Sequence, residues 1–301
     1  MWKELARLGL VNVVHASPLH FFSTNQLNHF YASVTNSTPA CMYSELTSAL
    51  SLIPESQPMF CLNEICMSDL LDAIKASPGN SLSAGADKIP LFCLKFALPC
   101  IAPSLLSLFN NSILHFCFPH SWKCAYIRPL SKIKTPLTSS DTRPIANLPK
   151  LSKILERIVH RQITQFFEVN NLLDSRQSGY RAGFSTQSAL LRVCDDIRRA
   201  IDEKKVTILI LFDFSKAFDT VPHLLLFSKL KSFGFSSSTL SWFFSYLTER
   251  TQTVLDENNN AILWCSVTAY VPQGSVLGPL LFSLFINDIG SYLSFSNHMI
   301  F

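Results

Sequence analysis

The chain has 301 residues, 48% of them hydrophobic and 15% charged, a composition that allows a large core and excludes general disorder. Its nine cysteines are odd in number and irregularly spaced, which excludes a disulfide framework and is typical of a reducing compartment. The apolar run Val276–Ile286 is too short to cross a membrane and no signal peptide precedes the chain's motifs, so the sequence predicts an intracellular protein without a membrane-spanning segment.

The formal net charge of +4 is concentrated in one part of the chain. Nine basic and two acidic residues lie between positions 121 and 161, a local net charge of +7, whereas the remainder carries a net charge of −3. This distribution predicts a surface that meets phosphate groups, with a solvated helix face as the alternative.

In chain order, residues 1–60 are rich in Ser, Thr, Asn and Pro and are predicted to form a linker or irregular lead-in. Helical periodicity then predicts helices near 65–76 and 91–116, separated by the turn-rich stretch SAGADKIP. Prolines and short apolar runs between Tyr126 and Pro149 predict strands joined by a loop.

Two amphipathic helices are predicted next. The clearer one covers 150–167, and on it Lys153, Arg157 and Arg161 lie four residues apart, forming a basic stripe that we expect to contact nucleic acid. The other follows GFSTQ, is capped by Ser185 or Thr186, and is expected to bury its apolar side chains. Those side chains are Leu190, Val193, Ile197 and Ile201.

The run VTILILFDF at 206–214 is uniformly apolar and predicts a strand covered on both faces. Asp213 lies at its end, where a carboxylate is costly unless it reaches a cleft, a partner or a metal ion. Asp219 follows six residues later and suits either Mg²⁺ binding or a turn. The cluster DENNN then predicts a hairpin over 250–270, followed by a helix, so the element order indicates an α+β fold.

Five sequence blocks resemble those of reverse transcriptases, in the same order. FDFSKAFDTVPH and VPQGSVLGPLLFSLFINDI are similar to motifs A and B, most closely to those of non-LTR, LINE-type (jockey-like) retrotransposons. WKCAYIRPLSK, SDTRPIANLPKLSKILERI and RQSGYRAGFSTQSALL resemble the preceding blocks. The resemblance implies a reverse transcriptase domain over 61–301, with the fingers and a partial palm of a right-hand polymerase. It further implies mainly helical structure, a small antiparallel sheet and no thumb.

The resemblance also implies an RNA-directed DNA polymerase that adds deoxynucleotides to a primer by a two-metal mechanism. The implied partners are an RNA template, a DNA primer, deoxynucleoside triphosphates and two Mg²⁺ ions. Asp213 would be the catalytic metal ligand, assisted by the Phe214 carbonyl, and Phe218 would be the steric gate against a ribose 2′-hydroxyl. The other implied nucleotide-binding residues are Lys132, Arg143, Gln273 and Gly274.

Three departures from the family pattern qualify these expectations. In SAGADKIP, Ala86 and Lys88 stand where such elements tend to have Pro and Gly. Tyr270 stands where the family usually has Gly, and its ring is expected to crowd the cleft. The sequence ends at SFSNHMIF, before the place where the family has the Ala-Asp-Asp of motif C, so we expect an inactive fragment. A non-catalytic nucleic-acid-binding remnant and a decayed open reading frame are the alternatives.

Overall fold

The computed structural model describes residues 17–37, 39–55, 57–77, 83–256, 258–261, 263–268, 270–293 and 297–300. The helices in these ranges are α1 (Thr24–Thr35), α2 (Tyr43–Ser51), α3 (Met67–Lys75), α4 (Leu91–Leu114), α5 (Lys150–Val169), α6 (Thr186–Asp202), α7 (His223–Ser232), α8 (Ser237–Leu247) and α9 (Leu277–Ile286). The strands are β1 (Cys124–Ser131), β2 (Thr142–Asn147), β3 (Arg250–Val254) and β4 (Cys265–Val267). The mainly helical α+β prediction is confirmed.

The four strands form one sheet in the order β2–β1–β3–β4. The pairs β1/β2 and β3/β4 are antiparallel, and the second of them is the predicted hairpin. β1 and β3 are parallel, with Cys124 opposite Thr251, so the sheet is mixed and the expectation of an antiparallel sheet is wrong at this pair. Helices α5 to α8 lie between β1 and β3 in the chain, and a long crossover of this kind lets the second strand run in the direction of the first.

The lead-in contains regular structure that was not predicted. Within 17–55, α1 and α2 replace the expected irregular chain, whereas residues 1–16 lie outside the described residues. Leu27 and Tyr31 of α1 are buried against Ile127 and other apolar residues of the sheet. The cause is helical spacing of a few apolar residues, which a Ser- and Asn-rich composition conceals.

The largest core lies among the helices. α5 packs with α3 and α9, and its apolar face is buried as predicted, for example at Leu155 and Val159. α4 contributes Leu105 and Phe109 to the same core. By length and composition α4 could also cross a membrane, which the sequence-based expectation overlooked, but a single helix of this kind is weak evidence because core helices meet the same criterion.

The predicted strand at 206–214 is absent. The segment has no regular secondary structure, and its apolar side chains are exposed, Val206 at 92% and Phe212 at 81%. In the part of the chain that the structure describes, no strand pairs with it, so its amides have no ladder to join. Uniform apolarity therefore predicts that a segment favours burial, but it does not show which residues would bury it.

α6 forms where it was predicted, and the Ser185 hydroxyl caps it by accepting from the Ser188 amide at 3.2 Å. Its expected burial is wrong. Leu190 and Ile201 are each 63% exposed and Val193 and Ile197 are half-buried. The neighbouring segment 206–214 is exposed as well, so nothing in that part of the described chain covers the apolar face of the helix.

Candidate active site

A single cavity of about 510 Å³ brings together residues that are far apart in the sequence. Its lining includes Lys132, Arg143, Asp213, Phe218 and Gln273. The volume lies in the range of small-molecule sites. Folding therefore gathers five of the predicted site residues around one concavity.

Two of the three cations that line the cavity are placed by the β1/β2 hairpin, and the third is Lys216. Arg143 lies in β2 opposite Leu130, and Lys132 follows β1 directly, with its amide donating to the Asp141 carbonyl at 2.7 Å. The Lys132 ammonium donates to the Ser140 carbonyl at 2.8 Å. Arg143 is exposed and its guanidinium makes no hydrogen bond or ion pair within the described residues. Its five donors are therefore available to a ligand.

Two carboxyl groups line the same cavity. Asp213 is exposed at the end of the 206–214 segment, and Asp219 is half-buried in the turn that follows. Burial raises the pKa of Asp219, and the positive charges of Lys216 and Lys132 oppose that shift. Sequence reasoning left Asp219 with a turn as an equal alternative, and its position six residues after Asp213 was the signal that pointed here.

The oxygen donors of the cavity fit Mg²⁺ only in part. The Asp213 and Asp219 carboxyl groups and the Phe214 carbonyl are hard ligands of the kind Mg²⁺ binds. Across the described ranges, however, no group of three or more His, Cys, Asp and Glu side chains could enclose a metal ion. Mg²⁺ commonly completes its shell with water and substrate phosphates, so these residues suit an ion that arrives with a phosphorylated ligand.

Phe218 is held by aromatic neighbours. Its ring centroid lies 5.1 Å from that of Phe282 in α9 and 6.2 Å from that of Tyr180. Its carbonyl accepts from the Val271 amide at 2.8 Å. Phe214 packs edge-on against the same Phe282 at 6.0 Å. A single side chain of α9 thus supports both aromatic residues next to the carboxyl groups.

The turn before α9 approaches β2 closely. The Gln273 carbonyl accepts from the Ala146 amide at 2.8 Å. Gly274 has φ +113°, and a Cβ at this position would collide with the Ala146 carbonyl oxygen. Only glycine therefore fits. Gln273 lines the cavity, whereas Gly274 is not among the lining residues and serves to bring Gln273 into place.

One wall of the cavity comes from α1 and was not predicted. Phe30, Tyr31 and Val34 line it, and the Lys216 ammonium lies 5.0 Å from the centroid of the Phe30 ring. The Tyr31 hydroxyl and the Thr142 hydroxyl are 2.5 Å apart, and burial raises the pKa of Tyr31 to about 12. The recurrence of apolar residues from Leu27 to Val34 at helical spacing was the available signal.

Tyr270 does not crowd the cavity, so that expectation is wrong. It is buried and absent from the cavity lining. Its hydroxyl accepts from Nε of the fully buried Arg250 at 3.3 Å, and Nη1 of Arg250 donates to the Tyr246 carbonyl at 2.7 Å. The His223 Nε2 lies 3.0 Å from the Tyr270 carbonyl oxygen and 3.2 Å from its amide nitrogen.

The basic stripe of α5 is less exposed than a simple helix face would be. Lys153 and Arg157 are half-buried, and burial lowers the pKa of Lys153. Arg161 is exposed and lies 3.8 Å from the Asp69 carboxyl group of α3. None of the three lines the cavity. Their contact with nucleic acid remains a prediction.

Comparison with known proteins adds an independent observation. A family model described as reverse transcriptase (RNA-dependent DNA polymerase) matches residues 132–300. The chain is 36% identical over 230 residues to a probable RNA-directed DNA polymerase from transposon BS of Drosophila melanogaster, covering 76% of this chain and 25% of the relative. It is 35% identical over 198 residues to the RNA-directed DNA polymerase from mobile element jockey of the same species, covering 65% of this chain and 21% of the relative. The chain thus spans about a quarter of the length of such relatives.

Proposed function

Because the chain belongs to the reverse transcriptase (RNA-dependent DNA polymerase) family, we propose that its cavity binds a deoxynucleoside triphosphate with Mg²⁺ as part of a retrotransposon RNA-directed DNA polymerase. The observation that carries the proposal is the lining of one cavity by three cations, two carboxyl groups and several aromatic residues. These are the groups that a charged nucleotide and its metal ion require.

In this proposal the carboxyl groups of the cavity hold the metal. Asp213 would bind Mg²⁺, with the Phe214 carbonyl as a further ligand and Asp219 beside them. Bound Mg²⁺ supplies charge neutralisation of the phosphates and activation of a primer 3′-hydroxyl. The protein itself contributes negative charge and oxygen donors at a fixed place.

Lys132 and Arg143, beside the β1/β2 hairpin, would bind the triphosphate. The forked guanidinium of Arg143 suits two phosphate oxygens at once, and its lack of partners among the described residues leaves it free to do so. Lys132 adds a second positive charge close to it.

Phe218 would select the sugar. The rings of Phe282 and Tyr180 restrict its movement, so it can oppose a ribose 2′-hydroxyl by steric exclusion rather than yield to it. Gln273, held against β2 by its carbonyl and by the close approach at Gly274, would form the side of the cleft that faces the nucleotide.

We assign the described residues of 61–301 to the fingers and part of the palm of a right-hand polymerase, as one domain. An RNA template and a DNA primer would lie along Lys153, Arg157 and Arg161. The proposed location is intracellular. The packing of α1 on the sheet supports including residues 17–37 of the lead-in in the same folded unit.

The experiment that tests the proposal is binding of a deoxynucleoside triphosphate with Mg²⁺ to the full chain, measured by calorimetry in the presence of primer–template. Arg143→Ala and Asp213→Asn should each weaken binding about tenfold or more, because a charge-assisted contact contributes on the order of 1.5–3 kcal/mol. Asp202→Asn at the end of α6, outside the cavity, is the control. Equal affinities of all four proteins would refute the proposal.

A further inference from the structure

Glu156 of α5 reaches the beginning of α9 from outside the cavity. It is fully buried, and its Oε2 accepts from the Val276 amide at 2.7 Å and from the Leu277 amide at 3.2 Å. Its Oε1 accepts from the Ser152 hydroxyl at 2.6 Å. Both carboxyl oxygens therefore have hydrogen-bond partners.

These contacts supply a cap that the local sequence lacks. Val276 precedes α9 and has no side-chain oxygen, so the first amides of the helix need acceptors from elsewhere. Ser275 provides one for the Gly278 amide at 2.9 Å, and Glu156 provides those for Val276 and Leu277. A carboxyl group at this end of a helix also interacts favourably with the helix dipole.

α9 in turn fixes two sides of the cavity. Gln273 lies only a few residues before the capped amides, in the turn at 272–276, whose Val276 amide donates to Glu156. Phe282, within the helix, packs at 5.1 Å against Phe218 and at 6.0 Å against Phe214. A shift of the start of α9 would therefore displace both Gln273 and Phe218, which form two sides of the cavity.

We propose that Glu156 is a positioning residue for the nucleotide site, which holds the turn at 272–276 and α9 so that Gln273 and Phe218 face the bound nucleotide together. The inference rests on the proposed function. Glu156 does not touch the cavity itself, and its effect passes through the backbone of Val276 and Leu277.

The test compares Glu156→Ala and Glu156→Gln with Glu168→Gln. Glu168 lies near the end of α5, pairs with Arg181 at 3.1 Å and has no contact with the turn, which makes it a matched control. We measure the affinities for a deoxynucleoside and a ribonucleoside triphosphate with Mg²⁺, on the folded full chain bound to primer–template.

Glu156→Ala should weaken deoxynucleotide binding about tenfold, in line with loss of hydrogen bonds to a carboxyl group, and reduce the preference over the ribonucleotide. Glu156→Gln keeps one acceptor and should show a smaller loss in the same direction. A purely structural role would lower the folded fraction but leave the ratio of the two affinities unchanged. Unchanged affinities and an unchanged ratio in folded Glu156→Gln would overturn the inference.

Hydrogen exchange of the 276 and 277 amides without nucleotide separates this inference from the proposed function. Both glutamate variants should accelerate exchange there relative to Glu168→Gln. If Glu156→Ala does not fold, the exchange rates of Glu156→Gln alone are compared with those of Glu168→Gln. Unchanged exchange overturns the positioning role, whereas faster exchange in a chain whose wild type binds no nucleotide would refute the proposed function and leave the cap itself established.

Discussion

Replacing Tyr270 with Phe removes one oxygen from the buried surroundings of Arg250. The guanidinium of Arg250 lies 5.2 Å from the centroid of the Tyr246 ring and donates through Nη1 to the Tyr246 carbonyl, while its Nη2 has no hydrogen-bond partner among the described residues. Loss of the Tyr270 hydroxyl leaves Nε without an acceptor as well. The Arg250 guanidinium stays charged, so the lost hydrogen bond lowers the free energy of unfolding.

The expected loss follows from the chemistry of that contact. A hydrogen bond to a charged group contributes about 1.5–3 kcal/mol, and Tyr→Phe leaves no cavity, so we expect the free energy of unfolding to fall by about 2 kcal/mol. Urea denaturation of the full chain measures it. Tyr43→Phe is the control, because its hydroxyl lies 3.2 Å from the Ser241 hydroxyl at an exposed site, where changes usually stay within about 0.5 kcal/mol. Equal losses for the two variants would refute the reasoning.

Three further predictions concern pH, sugar selection and charge. Burial lowers the pKa of His223 in the folded chain, so the unfolded chain binds a proton at this residue more readily. The free energy of unfolding should therefore fall as the pH drops below about 6.5. His223→Gln should flatten this pH dependence in urea titrations. Phe218→Val should raise the affinity for ribonucleoside triphosphates relative to deoxynucleoside triphosphates in a competition assay. Replacing Lys153, Arg157 and Arg161 together with Ala should reduce the salt dependence of primer–template binding by up to about three phosphate contacts.

Each of these predictions has a matched control. His29→Gln on the exposed side of α1 serves for the pH series, and a wild-type slope in His223→Gln would contradict the first prediction. Phe96→Val, at an exposed position of α4, serves for sugar selection, where an unchanged preference in the Phe218 variant counts against a steric gate. The triple variant with Ala at Arg198, Lys204 and Lys205 is the control for salt dependence. If both triple variants show the same dependence of binding on salt, the basic stripe of α5 does not contact nucleic acid.

The parts of the fold that depend on neighbouring residues could be predicted from the sequence. The hairpin turn forms because the Asp256 carboxyl group accepts from the Asn260 amide at 2.7 Å, a contact within five residues. Periodicity identified α5, and the resemblance to reverse transcriptase motifs identified the five predicted residues that meet in the cavity.

What failed depends on contacts between distant segments. No local pattern shows that β1 runs parallel to β3 or that Glu156 on α5 caps α9. An apolar run such as 206–214 indicates a preference for burial, but burial requires a second surface, and the described residues place none over it.

The α1 wall of the cavity has a consequence for related elements. Phe30, Tyr31 and Val34 lie ahead of residues 132–300, the region that the family model matches, yet they line the same cavity as its motifs. Under the proposed function, nucleotide choice would therefore depend on two separate parts of the chain. A chimera that exchanges only α1 between two related elements with identical motifs is then expected to change the affinity for nucleotides.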